Sequence, residues 1–160
     1  MVKKKACVFI SGAGSNLKAL IKRSREYSFP INISCVISST KKASGLSFAK
    51  IYKIPYYILN LDNQLNIESI LIKLKEDNIS LICLAGYMRI LEKNFLDRFK
   101  GKIINIHPSL LPKYKGLNTF KRILKTKEKI TGCTVHYVNK KLDTGNGIHL
   151  KRRLCIYEIR

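Results

Sequence analysis

Short apolar runs alternating with amphipathic stretches constrain the fold of this chain most tightly. Ala6 to Ile10, Ile31 to Ile37, Tyr56 to Leu59, Ile79 to Ala85 and Lys102 to Ile106 read as strands, and Thr134 to Val138 as a final β run. Between them Leu17, Leu20 and Ile21 recur at helical spacing, and Ile67, Ile70, Leu71 and Leu74 form a second stripe. Leu91, Phe95 and Phe99 mark a shorter helix, as do Phe120, Ile123 and Leu124, and a further helix is expected at about Ala43 to Tyr52. Strands apolar on both faces need cover on both, which this alternation provides as an α/β fold with a mostly parallel sheet flanked by helices. The 160 residues, 46% of them hydrophobic, predict a single domain, 1–160, with a real core and no linker or repeat.

Charge points first toward nucleic acid, since the net formal charge is +21. The 31 basic residues are nevertheless spread along the chain, with no aromatic sheet motif, zinc spacing or basic heptad region beside them. A solvated, lysine-rich surface is the expected meaning, with no specific nucleic-acid partner. Five cysteines (Cys7, Cys35, Cys83, Cys133, Cys155) lie far apart and mostly within apolar runs, with no CxxC pair. That usage fits a reducing, cytoplasmic setting and no metal. The basic start Lys3-Lys4-Lys5 mimics a signal peptide, but the apolar run behind it is too short for one. No segment is long enough to span a membrane.

The chemistry-bearing residues collect at strand ends. Asn105 and His107 sit two apart at the end of a strand that Pro108 stops, so they point the same way. An amide donor beside an imidazole can polarise a carbonyl and hold the oxyanion that forms when it is attacked; two polar residues closing a strand is the alternative. The turn Ser11-Gly12-Ala13-Gly14-Ser15-Asn16 joins the first strand to the first helix, where exposed amides favour an anion and Ser15 can cap the helix. It is neither a P-loop nor a full GxGxxG fingerprint, so the residues alone fit a phosphate cradle or a plain tight turn. Gly86-Tyr87-Met88-Arg89-Ile90-Leu91 follows the fourth strand and suits either a flat heteroaromatic ligand or a simple turn. Asp143 is the only acid between Glu128 and Glu158, placed to pair with a lysine or steer a histidine, while His136 and His149 read as structural.

Taken together, SGAGSNL, LAGYMRIL, NIHPSLLPKYKGL, TGCTVHYV and LDTG closely resemble the phosphoribosylglycinamide (glycinamide ribonucleotide) formyltransferases, folate-dependent enzymes of purine biosynthesis, up to about Gly145. The resemblance implies a Rossmann-like formyltransferase fold and transfer of a formyl group from 10-formyltetrahydrofolate to the amine of 5-phosphoribosylglycinamide. It makes Asn105, His107 and Asp143 catalytic, Gly14, Ser15 and Asn16 the phosphate-binding turn, and Met88, Arg89, Ile90, Leu91, Asn105, Asn139, Lys140, Lys141, Leu142 and Asp143 the folate-binding positions. In that scheme Asp143 raises the basicity of His107, and no metal takes part. The oligomer, monomer or homodimer, stays open.

Two departures stand against the family pattern. The loop Asn139-Lys140-Lys141-Leu142 is basic where relatives are usually acidic, and Asn146-Gly147-Ile148-His149 follows Gly145 where they carry proline and aliphatic residues. Residues 146–160 are accordingly expected to be divergent and shortened, as from a lost frame or end. This leaves two other functions open: another 10-formyltetrahydrofolate-using enzyme, of deformylase or methionyl-tRNA formyltransferase type, or a truncated, catalytically impaired ligand-binding relic.

Overall fold

The computed structural model describes residues 2–141 and 143–154, with side chains to residue 151. It divides into two compact units, Met1–Ile103 and Ile104–Arg160. In chain order the first holds β1 (Lys4–Ile10), α1 (Ser15–Ser24), β2 (Ile31–Ser38), α2 (Leu46–Ile51), β3 (Tyr56–Ile58), α3 (Gln64–Glu76), β4 (Leu81–Leu84) and α4 (Lys93–Arg98). β5 (Lys102–His107) carries the chain into the second, which holds α5 (Thr119–Lys125), β6 (Ile130–Tyr137) and β7 (Gly147–Leu154).

In the first unit β1 pairs in parallel with β2 and β4, and β2 with β3, giving the Rossmann-like order expected of strands joined by helical crossovers. Ala6 to Ile10 are wholly buried, the apolar-on-both-faces character already plain in their sequence. Helix α3 starts where the Asn63 side chain accepts from the Asn66 N–H, and its stripe Ile67, Ile70, Leu71 and Leu74 is buried as expected. Helix α1 is capped by Gly14, not by Ser15, with no side-chain cap hydrogen bond. Gly14 holds φ +71°, and a Cβ there would stand 2.8 Å from the Gly45 Cα. This close approach, with the Gly45 N–H donating to the Gly12 carbonyl at 2.9 Å, delays α2 until Leu46, three residues later than its composition suggests.

The second unit runs antiparallel, β6 pairing with both β5 and β7. Strand β6 begins at Ile130, ahead of the expected Thr134, and β7 was not expected at all. Its segment, GIHLKRRL, is basic and has a single β-branched residue, so intrinsic propensity says little. Pairing with β6 makes it a strand. Phe120 and Leu124 of α5 are exposed, and only Ile123 of the expected apolar trio is in the core.

Candidate active site

Asn105 and His107 end β5, opposite His136 and Thr134 of β6 in the antiparallel register. This register places Asn105 Nδ2 3.3 Å from His136 Nε2. Asp143 joins the group from the loop after β6, its Oδ2 3.3 Å from His107 Nδ1 and its Oδ1 3.5 Å from His136 Nε2. All three ionisable side chains are at least 90% buried, and one carboxylate faces two imidazoles. The three residues expected to be catalytic are therefore brought together, and His136, expected to be structural, stands among them. TxH on a strand facing a strand that ends NxH could have exposed it, had antiparallel pairing been assumed for β6.

Each group's partners define what it can donate. His107 Nε2 lies 2.9 Å from the Tyr114 carbonyl; a carbonyl and a carboxylate only accept, so both N–H bonds of an imidazolium find a partner here. Asp143 Oδ2 also accepts from the Gly116 N–H at 2.8 Å. Burial pushes the Asp143 carboxyl up, but the His136 contact, the Gly116 N–H and the charges of both histidines outweigh it and hold the group below its ordinary value. His136 is held above its ordinary value, by the Asp143 contact first, against the opposing effect of burial; its Nδ1 faces the Tyr137 carbonyl at 2.9 Å.

The segment that supplies the Tyr114 carbonyl and the Gly116 N–H is fastened to β6 by one buried hydroxyl. Thr134 Oγ1 donates to the Ser109 carbonyl at 2.7 Å and accepts from the Leu111 N–H at 3.0 Å. The Tyr114 hydroxyl reaches Thr126 Oγ1 at 2.6 Å and Glu128 at 3.1 Å, pinning the far side of the segment. In the Asp143 loop, Asn139 Oδ1 accepts from the Lys141 N–H at 2.9 Å and from Thr144 Oγ1 at 3.1 Å, which spends its side chain on the turn. Asn139, Lys140 and Lys141 are exposed, and Leu142 lies outside the described residues.

In the first unit the turn after β1 presents Gly14, Ser15 and Asn16 at the start of α1, with Ser15 and Asn16 exposed. The first-turn N–H groups of such a helix have no intrahelical acceptor and suit an anion. Ser11 does something else. Its Oγ accepts from the Met88 N–H at 2.8 Å and bonds the Ser39 hydroxyl at 2.7 Å, tying the turn to the 86–91 loop and to the end of β2. In that loop Met88, Arg89 and Ile90 are exposed, while Leu91 is in the core. Arg89 is held by Asp62 at 3.2 Å. The neighbouring Tyr87 hydroxyl is buried with no hydrogen-bond partner among the described residues, and burial raises it to about 12.

The formyl transferase family model matches residues 4–158. The chain belongs to the formyl transferase family. The match continues past Gly145 and through β7. A phosphoribosylglycinamide formyltransferase from Haemophilus influenzae is 43% identical over 158 residues, covering 96% of this chain and 74% of that protein. The human trifunctional purine biosynthetic protein adenosine-3 is 44% identical over 149 residues, which are 89% of this chain but 15% of that protein's length. The crystal structure of phosphoribosylglycinamide formyltransferase from Anaplasma phagocytophilum superposes with a TM-score of 0.89 at 43% identity, over 99% of this chain and 76% of that one. The fold is therefore the Rossmann-like formyltransferase fold read from the resemblance.

For a formyl transferase the cluster has the right chemistry. An amide N–H and an imidazolium can stabilise charge on a carbonyl oxygen, and a carboxylate held ionised beside the ring favours that imidazolium. Among the described residues no group of three or more His, Cys, Asp or Glu is arranged to hold a metal. No helix among them is long and apolar enough to cross a membrane.

Proposed function

We propose that this formyl transferase moves the formyl group of 10-formyltetrahydrofolate to the amino group of 5-phosphoribosylglycinamide, a step of de novo purine biosynthesis. The observation that carries the reading is the buried Asn105–His107–Asp143 cluster, in a chain 43% identical to a protein named for that activity. Asn105 Nδ2 and His107 donate to the formyl oxygen as the substrate amine attacks the carbon. The Nε2–H of His107, which donates to the Tyr114 carbonyl at 2.9 Å, is the bond exchanged for the oxyanion. A C–N bond to the amine forms, the bond to N10 of the folate breaks, and Asp143 relays the amine proton toward that nitrogen. Asp143 Oδ2, 3.3 Å from His107 Nδ1, also fixes the orientation of the ring toward the oxyanion.

The other residues have binding roles in this reading. Gly14, Ser15 and Asn16 hold the substrate phosphate at the start of α1. Exposed Met88 and Ile90 offer apolar cover for the pterin, with Arg89, Leu91 and the Asn139–Asp143 loop (Lys140, Lys141 and Leu142 included) as its further contacts. The residues present fit such a ligand, because the 86–91 loop shows two large apolar side chains to solvent beside an orphaned Tyr87 hydroxyl. Placement in the cytoplasm follows from the same reading. The test is formyl transfer from 10-formyltetrahydrofolate to 5-phosphoribosylglycinamide by the 160-residue chain, followed by product formation. Turnover is expected, and its fall on the order of a hundredfold or more in His107→Ala; ligand binding without turnover would instead identify a relic.

A further inference from the structure

We propose that a cavity of the first unit, lined by Lys41, Lys42 and Lys50, binds a nucleotide-sized phosphorylated ligand beside the phosphate turn's own supporting loop. The cavity measures about 520 Å³, within the range of small-molecule sites and too small for more than one nucleotide. Its lining joins three lysines and two serines, Ser44 and Ser47, to the apolar Leu46 and Ile58, and no acid lines it. Neither Lys41 nor Lys42 has an ion-pair partner among the described residues. Two adjacent cations left without a counter-charge suit phosphate oxygens.

Position and preorganisation support the same ligand. Lys41 and Lys42 follow the end of β2, and Ile58 ends β3, so the cavity opens at the carboxyl ends of parallel strands, where α/β sheets bind ligands. In dinucleotide-binding folds the end of the second strand carries an acid for a ribose hydroxyl or a cation for a ribose phosphate. Here that place reads Ser-Ser-Thr-Lys-Lys. The loop is already formed: Ser38 Oγ donates to the Thr40 carbonyl at 2.8 Å, the Lys42 N–H to Thr40 Oγ1 at 3.2 Å, and the Gly45 N–H to the Gly12 carbonyl at 2.9 Å. Tyr56 gives an aromatic face, 40% exposed, with Lys50 Nζ 5.9 Å from the ring centroid. A base stacks on such a ring while lysines take the phosphates. A single aromatic in a cavity of this size favours one nucleotide over a strand of nucleic acid, which needs a succession of such platforms.

The test is calorimetric titration of the 160-residue chain with ADP at physiological salt, with and without saturating 5-phosphoribosylglycinamide. It needs no turnover, so it fails or succeeds separately from the formyl-transfer reading. Saturable binding of one ADP is expected, unchanged by 5-phosphoribosylglycinamide. The Lys41→Ser/Lys42→Ser double variant, at exposed positions, should weaken ADP at least tenfold while its melting curve stays put. Lys50→Met serves as a second charge variant. Tyr56→Leu should bring ADP down to the affinity of inorganic pyrophosphate and leave pyrophosphate itself unchanged. Absence of saturable binding, unchanged ADP affinity in the lysine variants, or displacement by 5-phosphoribosylglycinamide would each overturn the proposal. So would tighter binding of a single-stranded oligonucleotide than of ADP, with a steep salt dependence.

Discussion

Asp143 reaches His107 from a left-handed backbone: with φ at +48° it sets its Oδ2 3.3 Å from the His107 Nδ1, both side chains buried. Aspartate is among the few non-glycine residues that enter that region readily, and hydrogen bonds to its side chain can hold it there. Here the holding groups are the Gly116 N–H and His136, each bound to the same carboxylate. The carboxylate is thus fixed in position as well as in charge.

Asp143→Asn keeps the size of the side chain and removes its charge. Formyl transfer should fall on the order of a hundredfold or more, the loss typical of removing an oriented electrostatic partner, with folate affinity nearly unchanged. Asn105→Ala and His107→Ala should cost as much singly, and the three losses should not add, because the groups act as one unit. Rates measured in the single and combined variants check this.

Stability should depend on pH in a way the cluster sets. Asp143 has a lowered folded pKa, so its contribution is present above the ordinary carboxylate range and lost as pH falls through the folded value. His136 has a raised folded pKa, so its contribution is fully present below about pH 6.5 and lost as pH rises through the folded value. Denaturation at a series of pH values should show His136→Asn losing the alkaline-side decline of the parent, and Asp143→Asn losing both that and the acid-side decline.

Thr134→Val is the isosteric test of the segment that carries the Tyr114 carbonyl. It strands the Ser109 carbonyl and the Leu111 N–H, both satisfied by one buried hydroxyl. Unsatisfied buried groups of this kind cost about 1–3 kcal/mol, which urea denaturation should read directly. A cost below about 0.5 kcal/mol would mean that water replaces the hydroxyl.

Gly14→Val combines a φ of +71° with a Cβ 2.8 Å from the Gly45 backbone. The conformational cost alone is about 1–2 kcal/mol, and the clash pushes the turn off the Gly45 loop. The apparent Michaelis constant for 5-phosphoribosylglycinamide should rise far more than that for the folate. An equal rise in both would remove the turn from phosphate binding.

The thiols of Cys7, Cys35 and Cys83 are buried on neighbouring parallel strands, and burial pushes Cys83 up to about 11. A thiol reagent at pH 8 should leave these three unmodified in the native protein and label them on unfolding, since only the thiolate reacts. Peptide mapping of the labelled sites decides it.

The strand–helix alternation, the parallel core and the Asn105–His107 pair were legible from the sequence, because apolar runs, glycine turns and strand-end motifs are local signals; Asp143 joined that pair only through the family resemblance. Periodicity placed the α3 stripe as the structure has it. What lay beyond it was decided by contacts between distant segments. His136 reads as an ordinary strand residue until antiparallel pairing sets it opposite Asn105. Gly14 takes the cap that Ser15 was suited to, because Gly45 needs the space. A basic segment with little strand propensity becomes β7 because β6 offers an edge to pair with. Composition and spacing report what one segment favours; which partner occupies the other side of a hydrogen bond or a van der Waals contact is set only when the chain closes on itself.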